Sequence, residues 1–491
     1  MPDTARHITL IMPIAKFNSA DAVSIPPYAL LYIGTQLKKA GYDVSLYHGN
    51  NVQEALALIT NDEVFVGISA FTGYPVKEAC EFAKGVKRLD PDIPVVLGGY
   101  HASMLPDQVM ADSFFDFAVI GEGEETAVEL AHRLCSPKPS FAGILGLTWR
   151  DESGKVVMNE RRPFPKTIDF EIDWSLVDVK RYAPTIAHLG SRKLFFVFSS
   201  RGCPYSCSFC AGSYLYQRRY RKASAAFVVN QYRPIIEQNG VEYVEYLDDN
   251  FFVDLNWTEQ VTKGIGVPYR SLIRADRIDD EVCDLLLRTR CRALFIGLES
   301  GSEDVRMRIM NKRITNDQIR SALKKLYDRC PEINVAAMFI TGIPGETYAQ
   351  YRETCAFALE LTKIHPRLLP QANVYAPYPY CQSYVDAVQA GWITPKRTED
   401  WILDSKQGDQ LQPVWLSWYD ANLKKKLDMT AVMFLLLRRA HGLSGLRGMA
   451  KKFLELCARV RLRYDLFRLP LEMKAFRYMY QRFMQTSIAS K

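Results

Sequence analysis

The chain has 491 residues, 48% of them hydrophobic and 24% charged, with 28 glycines and 25 prolines. That length exceeds what one hydrophobic core fills, and the composition excludes a disordered or collagen-like chain, so two or three packed domains are expected. The net charge of +7 is uneven: residues 424–491 hold 16 Lys+Arg against 4 Asp+Glu, so the chain before them is net acidic.

The N-terminal "MPDTARHITLIMPIAKF" lacks the apolar core and cleavage site of a secretory signal, and the strongest later apolar run, "MTAVMFLLL", is too short to span a bilayer. Eleven cysteines are an odd number, and eight of them are scattered singly, which fits a reducing compartment rather than a disulfide framework. A soluble, cytoplasmic protein is expected.

From the start to about residue 140, strand-like runs ("HITLIMPI", "DVSLYHG", "VFVGISAF", "PVVLGG", "FDFAVIGEG") alternate with helical ones such as "PPYALLYIGTQLKKAG" and "PVKEACEFAKGVKRLD". This α/β alternation predicts a doubly wound, Rossmann-like parallel sheet, whose ligands bind beyond the carboxyl ends of the strands. Residues 141–190 read as a linker holding a β-hairpin around "DESGK".

A second alternating series spans about 191–380. Six strands, from "KLFFVFSS" to "RLLPQANVYAPYP", are each followed by helix except the last. That pattern suits a partial (β/α)6 barrel with its active rim at the carboxyl ends of the strands. Residues 381–491 read as helical, aromatic and basic. Three readings of this tail stay open: helices closing the barrel, peripheral membrane contact, or an anionic-substrate or nucleic-acid face. Tyr464, Phe467, Phe476, Tyr478 and Tyr480 are candidates for a substrate cavity.

The densest chemical signal is "RGCPYSCSFCAG", with Cys203, Cys207 and Cys210 directly after the first strand of the second series. A disulfide leaves one thiol over. A zinc site needs a fourth ligand that the loop does not contain. Three thiolates can instead hold three irons of a 4Fe-4S cluster and leave the fourth open. "LDDN" (Asp248, Asp249) is either functional or a helix cap or turn, and "GLESGSE" is either a binding segment or a strand end with Ser302 as an N-cap.

"CPYSCSFC", followed in order by "YLDDNF", "GLESGSE" and "FITGIPGET", resembles the radical S-adenosylmethionine (SAM) enzymes across the whole second series. The resemblance implies that Cys203, Cys207 and Cys210 ligate the cluster and that SAM chelates the open iron. Reductive cleavage of SAM then yields a 5′-deoxyadenosyl radical. It further implies a SAM site with Phe209 beside the adenine, Arg274 as carboxylate partner, Glu299 and Ser300 near the ribose or methionine part, and Gly342 and Gly345 allowing close backbone approach. An electron donor such as flavodoxin or ferredoxin would be a partner.

A doubly wound domain ahead of such a barrel resembles the cobalamin-dependent branch of that family. "VGISAFTGY", "LGGYHASMLPD" and "DFAVIGEGEET" carry the resemblance, and Ser69, Thr72, Gly98, Gly99, Tyr100, Gly121 and Glu122 are the cobalamin-binding candidates. There is no DxHxxG string, so cobalamin without a histidine on cobalt is expected, and His101 either caps a helix or touches the corrin. Thr126 stands where a dinucleotide fingerprint needs its third glycine, which disfavours NAD.

The resemblance implies a C-methyltransferase that passes a methyl group from methylcobalamin to a carbon radical on a small-molecule or lipid-like substrate, with no nucleic acid expected. Oxidative cyclisation or rearrangement with the same cofactors is the alternative. A non-catalytic corrinoid carrier or iron-sulfur sensor is the alternative of another class. No catalytic residue is assigned.

Overall fold

The computed structural model describes residues 6–14, 25–186, 190–401, 406–407, 410–411, 416–437 and 445–467. The chain forms two compact units. One comprises Met1–Ser271, Pro377–Val388 and Ile393–Ser405; the other comprises Leu272–Ala376, Gln389–Trp392 and Lys406–Lys491.

The first unit opens with β1 (His7–Met12), β2 (Asp43–His48), β3 (Glu63–Ser69), β4 (Val95–Gly98), β5 (Phe117–Val119), β6 (Leu147–Arg150) and β7 (Val156–Met158). They form one sheet in the order β2-β1-β3-β4-β5-β6-β7. The first five strands are parallel. Five of the six residues of β1 are buried, because helices cover a doubly wound sheet on both faces. Its core includes Ile8, Leu10, Leu30, Phe65, Val96 and Leu130.

The hairpin around Asp151–Lys155 is more than a connector. β6 pairs antiparallel with β5, and β7 with β6, so the segment extends the first sheet at its edge. The same unit then contains β8 (Thr185–Ile186), β9 (Arg192–Val197), β10 (Ser200–Arg201), β11 (Arg221–Lys222), β12 (Tyr243–Tyr246) and most of β13 (Tyr269–Arg274). β9 and β12 run parallel, as do β12 and β13. By compactness the first sheet and the start of the second series fall in one unit. Part of the reason is a hydrogen bond from the buried Tyr28 hydroxyl to the Phe196 carbonyl, which ties the first helix to β9.

The second unit is built on β14 (Cys291–Glu299), β15 (Asn334–Thr341) and β16 (Leu368–Val374), all parallel. They are the last three of the six strands expected of the partial barrel; β9, β12 and most of β13 belong to the first unit. Its helices start on built caps: Thr315 with Gln318 and Thr347 with Gln350 each make a reciprocal capping box. In the basic tail, the helix Ala421–Leu436 packs on β16, and the helix Gly445–Tyr464 packs on it and on the helix Tyr348–Ile364. Phe467 is buried and Tyr464 is exposed. Phe476, Tyr478 and Tyr480 lie outside the described residues. Among the described residues no helix is long and apolar enough to cross a membrane.

Candidate active site

The three-cysteine loop grows from the end of β9, and its base is clamped. β10 and β11 pair antiparallel on either side of it, placing Arg201 opposite Arg221. Gly202 has φ +82°, and a Cβ there would lie 2.1 Å from the Arg219 carbonyl oxygen, so only glycine fits where the loop leaves β10. The Gly202 N–H donates to Asp249 Oδ2 at 3.0 Å. Asp248 accepts from the Ser199 N–H and hydroxyl at 3.2 and 3.0 Å. Burial raises the Asp248 carboxyl to about 7 against the opposing pull of the Ser199 hydrogen bonds, and burial raises Asp249 as well. The aspartates therefore brace the loop. The helix that follows is capped by Asp254 instead.

Cys203, Cys207 and Cys210 are half-buried and unbridged. Asn250 Nδ2 sits 3.8 Å from Cys203 Sγ, and Ser208 on the same loop is tied to Ser383 through hydroxyls 3.0 Å apart. Burial raises the Cys203 thiol, and raises Cys210 to about 11 while the Ser213 and Gly212 N–H groups pull it back. Among the described residues no three His, Cys, Asp or Glu side chains converge as they would on a single ion.

At the carboxyl ends of the first sheet lies a cavity of about 580 Å³ with a mainly apolar lining. Ser69, Gly98, Gly99, Tyr100, Gly121 and Glu122 all line it, and Arg201, Tyr216 and Asp249 contribute from the cysteine-loop side. Gly99 has φ +90°, and a Cβ would meet the Ala70 carbonyl oxygen at 2.9 Å.

Glu122 carries the wall between loop and cavity. Its carboxylate accepts from Arg201 at 3.1 Å and from Arg221 Nη1 at 3.0 Å, while Arg201 Nη2 reaches Glu124 at 2.6 Å. Burial pushes Glu122 up, but the two guanidiniums outweigh it and hold the carboxylate below its usual range.

Thr72 is outside the cavity lining. It is buried, and its hydroxyl pairs with His101 Nδ1 at 3.2 Å. His101 neither caps a helix nor reaches the cavity: its ring is fully buried edge-on to Trp401, and burial lowers it to about 3. The histidine that does line the cavity is His48, at the end of β2, with Nδ1 3.0 Å from the Tyr182 hydroxyl. Sequence reasoning passed over it because a lone histidine at a strand end carries no motif.

In the second unit the strand ends are also preorganised. β14 bulges between Gly297 and Glu299, and Glu299 has φ 65°, an uncommon conformation for a side-chain-bearing residue. Lys312 links two of the candidates: its ammonium pairs with Glu299, and its carbonyl oxygen accepts from Arg274 Nη2 at 3.1 Å. Arg274 also pairs with Asp276 at 3.0 Å. The Ser300 side chain is fully buried and pairs with the Thr354 hydroxyl at 3.1 Å, so that hydroxyl braces the strand end. Ser302 N–H donates to Ser300 Oγ, and the Ser302 side chain caps no helix among the described residues. Gly342 and Gly345 have φ of +83° and +84°, and the Gly342 N–H donates to Glu346 at 2.9 Å.

Two family models match the chain: a B12 binding domain over residues 20–131 and the Radical SAM superfamily over 197–358. The chain thus carries a B12 binding domain followed by a Radical SAM domain, and it is an enzyme. Its cofactors are accordingly a 4Fe-4S cluster, SAM and cobalamin. An uncharacterized methyltransferase of Pyrococcus horikoshii is 27% identical over 370 residues, covering 72% of this chain and 76% of that protein. An anaerobic magnesium-protoporphyrin IX monomethyl ester cyclase of Rubrivivax gelatinosus is 26% identical, covering 72% and 65%. The structure of the radical SAM methyltransferase TsrM from Kitasatospora setae, with tryptophan and a SAM analogue bound, superposes with a TM-score of 0.66 at 17% identity, covering 99% of this chain and all of that one, which establishes a shared fold.

The residues present fit those cofactors. Three unbridged thiols on one loop can each meet a separate iron of a cubane. The cavity offers apolar walls and bare glycine backbone to a large macrocycle.

Proposed function

We propose that this enzyme is a C-methyltransferase acting on a small-molecule or lipid-like substrate, served by a one-electron donor such as a flavodoxin or ferredoxin. One observation carries the reading: the cavity at the strand ends of the first sheet shares a wall with the base of the three-cysteine loop, through Arg201, Tyr216 and Asp249. Corrin and cluster sites would thus belong to one compact unit.

Bound together, the cluster, SAM and cobalamin supply radical hydrogen abstraction and methyl transfer, chemistry no amino-acid side chain provides. Cys203, Cys207 and Cys210 would hold the cluster, with Phe209 beside the adenine. Arg274 and Glu299, oriented through Lys312, would present a guanidinium and a carboxylate to the amino-acid and ribose parts of SAM. Ser300, with its hydroxyl committed to Thr354, would offer only backbone; Gly342 and Gly345 would let the chain approach closely. Ser69, Gly98, Gly99, Tyr100, Gly121 and Glu122 would line the cobalamin site, while Thr72 would act at one remove by holding His101.

The test is anaerobic purification with cobalamin, cluster reconstitution and incubation of a metabolite extract with methyl-labelled SAM and a reductant. The expected result is 5′-deoxyadenosine together with a product heavier by one labelled methyl group in place of hydrogen. A product that has lost hydrogens and gained no label would instead support oxidative cyclisation, the reading favoured by the cyclase relatives. Binding of the cofactors with no cleavage of SAM would point to a carrier or sensor.

A further inference from the structure

We infer that the helix Gly445–Tyr464 is an interfacial anchor that lies flat on an anionic phospholipid surface. One face is committed to the protein: Ala458 and Leu462 are buried, Lys451 Nζ donates to the Leu436 carbonyl at 3.0 Å, and Arg459 reaches the Thr362 hydroxyl at 3.1 Å. The opposite face carries Met449, Phe453, Leu456, Val460 and Tyr464, exposed by 62%, 61%, 59%, 38% and 61%.

Their spacing of four, three, four and four residues places them in one line, since 3.6 residues make a turn. Single exposed apolar side chains are ordinary on a soluble surface, but five large ones aligned over about 22 Å of helix are not. Cations border the line. Lys452 and Arg463 are exposed and Arg461 is half-exposed.

Charge selects the occupant. The sequence of the helix Gly445–Tyr464 carries six Lys+Arg against one acidic residue, Glu455, so two copies meeting along it would bring like charges together. An anionic bilayer takes both features: the apolar line enters the boundary between headgroups and acyl chains while the flanking cations meet phosphates. This inference does not depend on the proposed reaction, because the helix can dock whether or not the cofactors are loaded.

The test uses the full-length protein and vesicles of either phosphatidylcholine alone or an equal mixture with phosphatidylglycerol. Co-sedimentation is expected with the anionic vesicles only, weakening as salt is raised. Phe453→Glu combined with Leu456→Glu should weaken binding by at least about tenfold, because two apolar side chains no longer leave water. Thermal unfolding of that variant should match the parent, since both positions are exposed, so lost binding cannot be put down to misfolding. Lys452→Glu with Arg463→Glu should erase the preference for anionic lipid. The inference is overturned if the parent fails to sediment with anionic vesicles, or if the Phe453/Leu456 variant sediments equally well. It is also overturned if the parent is a dimer that this variant dissolves, which would give the face to a second copy.

Discussion

Two arginines placed opposite one another across a ladder repel, and Arg201 and Arg221 tolerate the arrangement because Glu122 stands between them and Glu124 takes the remaining edge of Arg201. The Arg201 guanidinium also lies 5.0 Å from the Tyr32 ring centre, so the group is wholly enclosed. Arg201→Met would take the cation from buried Glu124 and leave half-buried Glu122 with Arg221, and about 3–5 kcal/mol of unfolding free energy should be lost. The denaturant midpoint of the cofactor-free protein reads this directly. Arg201→Lys should recover only part of it, because an ammonium cannot fork between two carboxylates.

Asp248 gives a second test at this scale. Its carboxyl is raised to about 7 by burial, so the folded state holds a proton that the unfolded state releases at ordinary carboxyl pH. Its contribution is fully present below about pH 4 and is lost as pH rises to about 7. The stability difference between the parent and Asp248→Asn should therefore shift in favour of the variant across that window and stay flat above it. Taking the difference cancels the buried histidines, which drift in the opposite sense. A slope of the other sign would mean that Asp248 is ionised in the folded protein.

At the scale of elements, the loops matter more than the strands they leave. Gly202 sits where β10 becomes the cysteine loop, with the Arg219 carbonyl filling the space a side chain would need. Gly202→Ala should fold its first sheet normally yet bind far less iron and sulfide on reconstitution; full iron content would show that the loop base tolerates displacement. The helix Tyr348–Ile364 offers the contrast, because its N-terminus is capped by the Thr347–Gln350 box, away from the cysteine loop in sequence. Thr347→Ala should cost about 1 kcal/mol, measured by denaturant unfolding, with iron content unchanged. Glu299 belongs with Gly202: its left-handed backbone at the end of β14 is a conformation held by its surroundings, among them the buried Lys312 pair.

At the scale of the whole molecule, cavity and cysteine loop are neighbours within one compact unit and share Arg201, Tyr216 and Asp249, but Cys203, Cys207 and Cys210 are not among the cavity's lining residues. Cobalamin at about a hundred times its dissociation constant should stabilise the apoprotein by about 2.7 kcal/mol. The variant with Cys203, Cys207 and Cys210 all replaced by Ala should keep that gain in thermal unfolding while binding no cluster. Loss of both together would mean that the two sites assemble as one.

The sequence by itself determined the parts of this protein that depend on local order along the chain. Alternating apolar runs predicted both series of strands, because the periods of strands and helices are written residue by residue. The Cys203–Cys207–Cys210 spacing was legible as a candidate cluster loop, because one short loop carries all three thiols. Gly98, Gly99 and Gly121 were legible because glycine marks places where backbone must turn or be approached. What only the tertiary structure decided depends on residues distant in the chain. Nothing local joins Arg201 to Glu122, Lys312 to both Arg274 and Glu299, or His48 to the cavity that excludes His101. The hairpin near residue 150 reads as a linker until β6 is seen to pair with β5. Buried charges and sheet edges are satisfied by whatever the fold brings beside them, and that neighbour is a property of the packed chain.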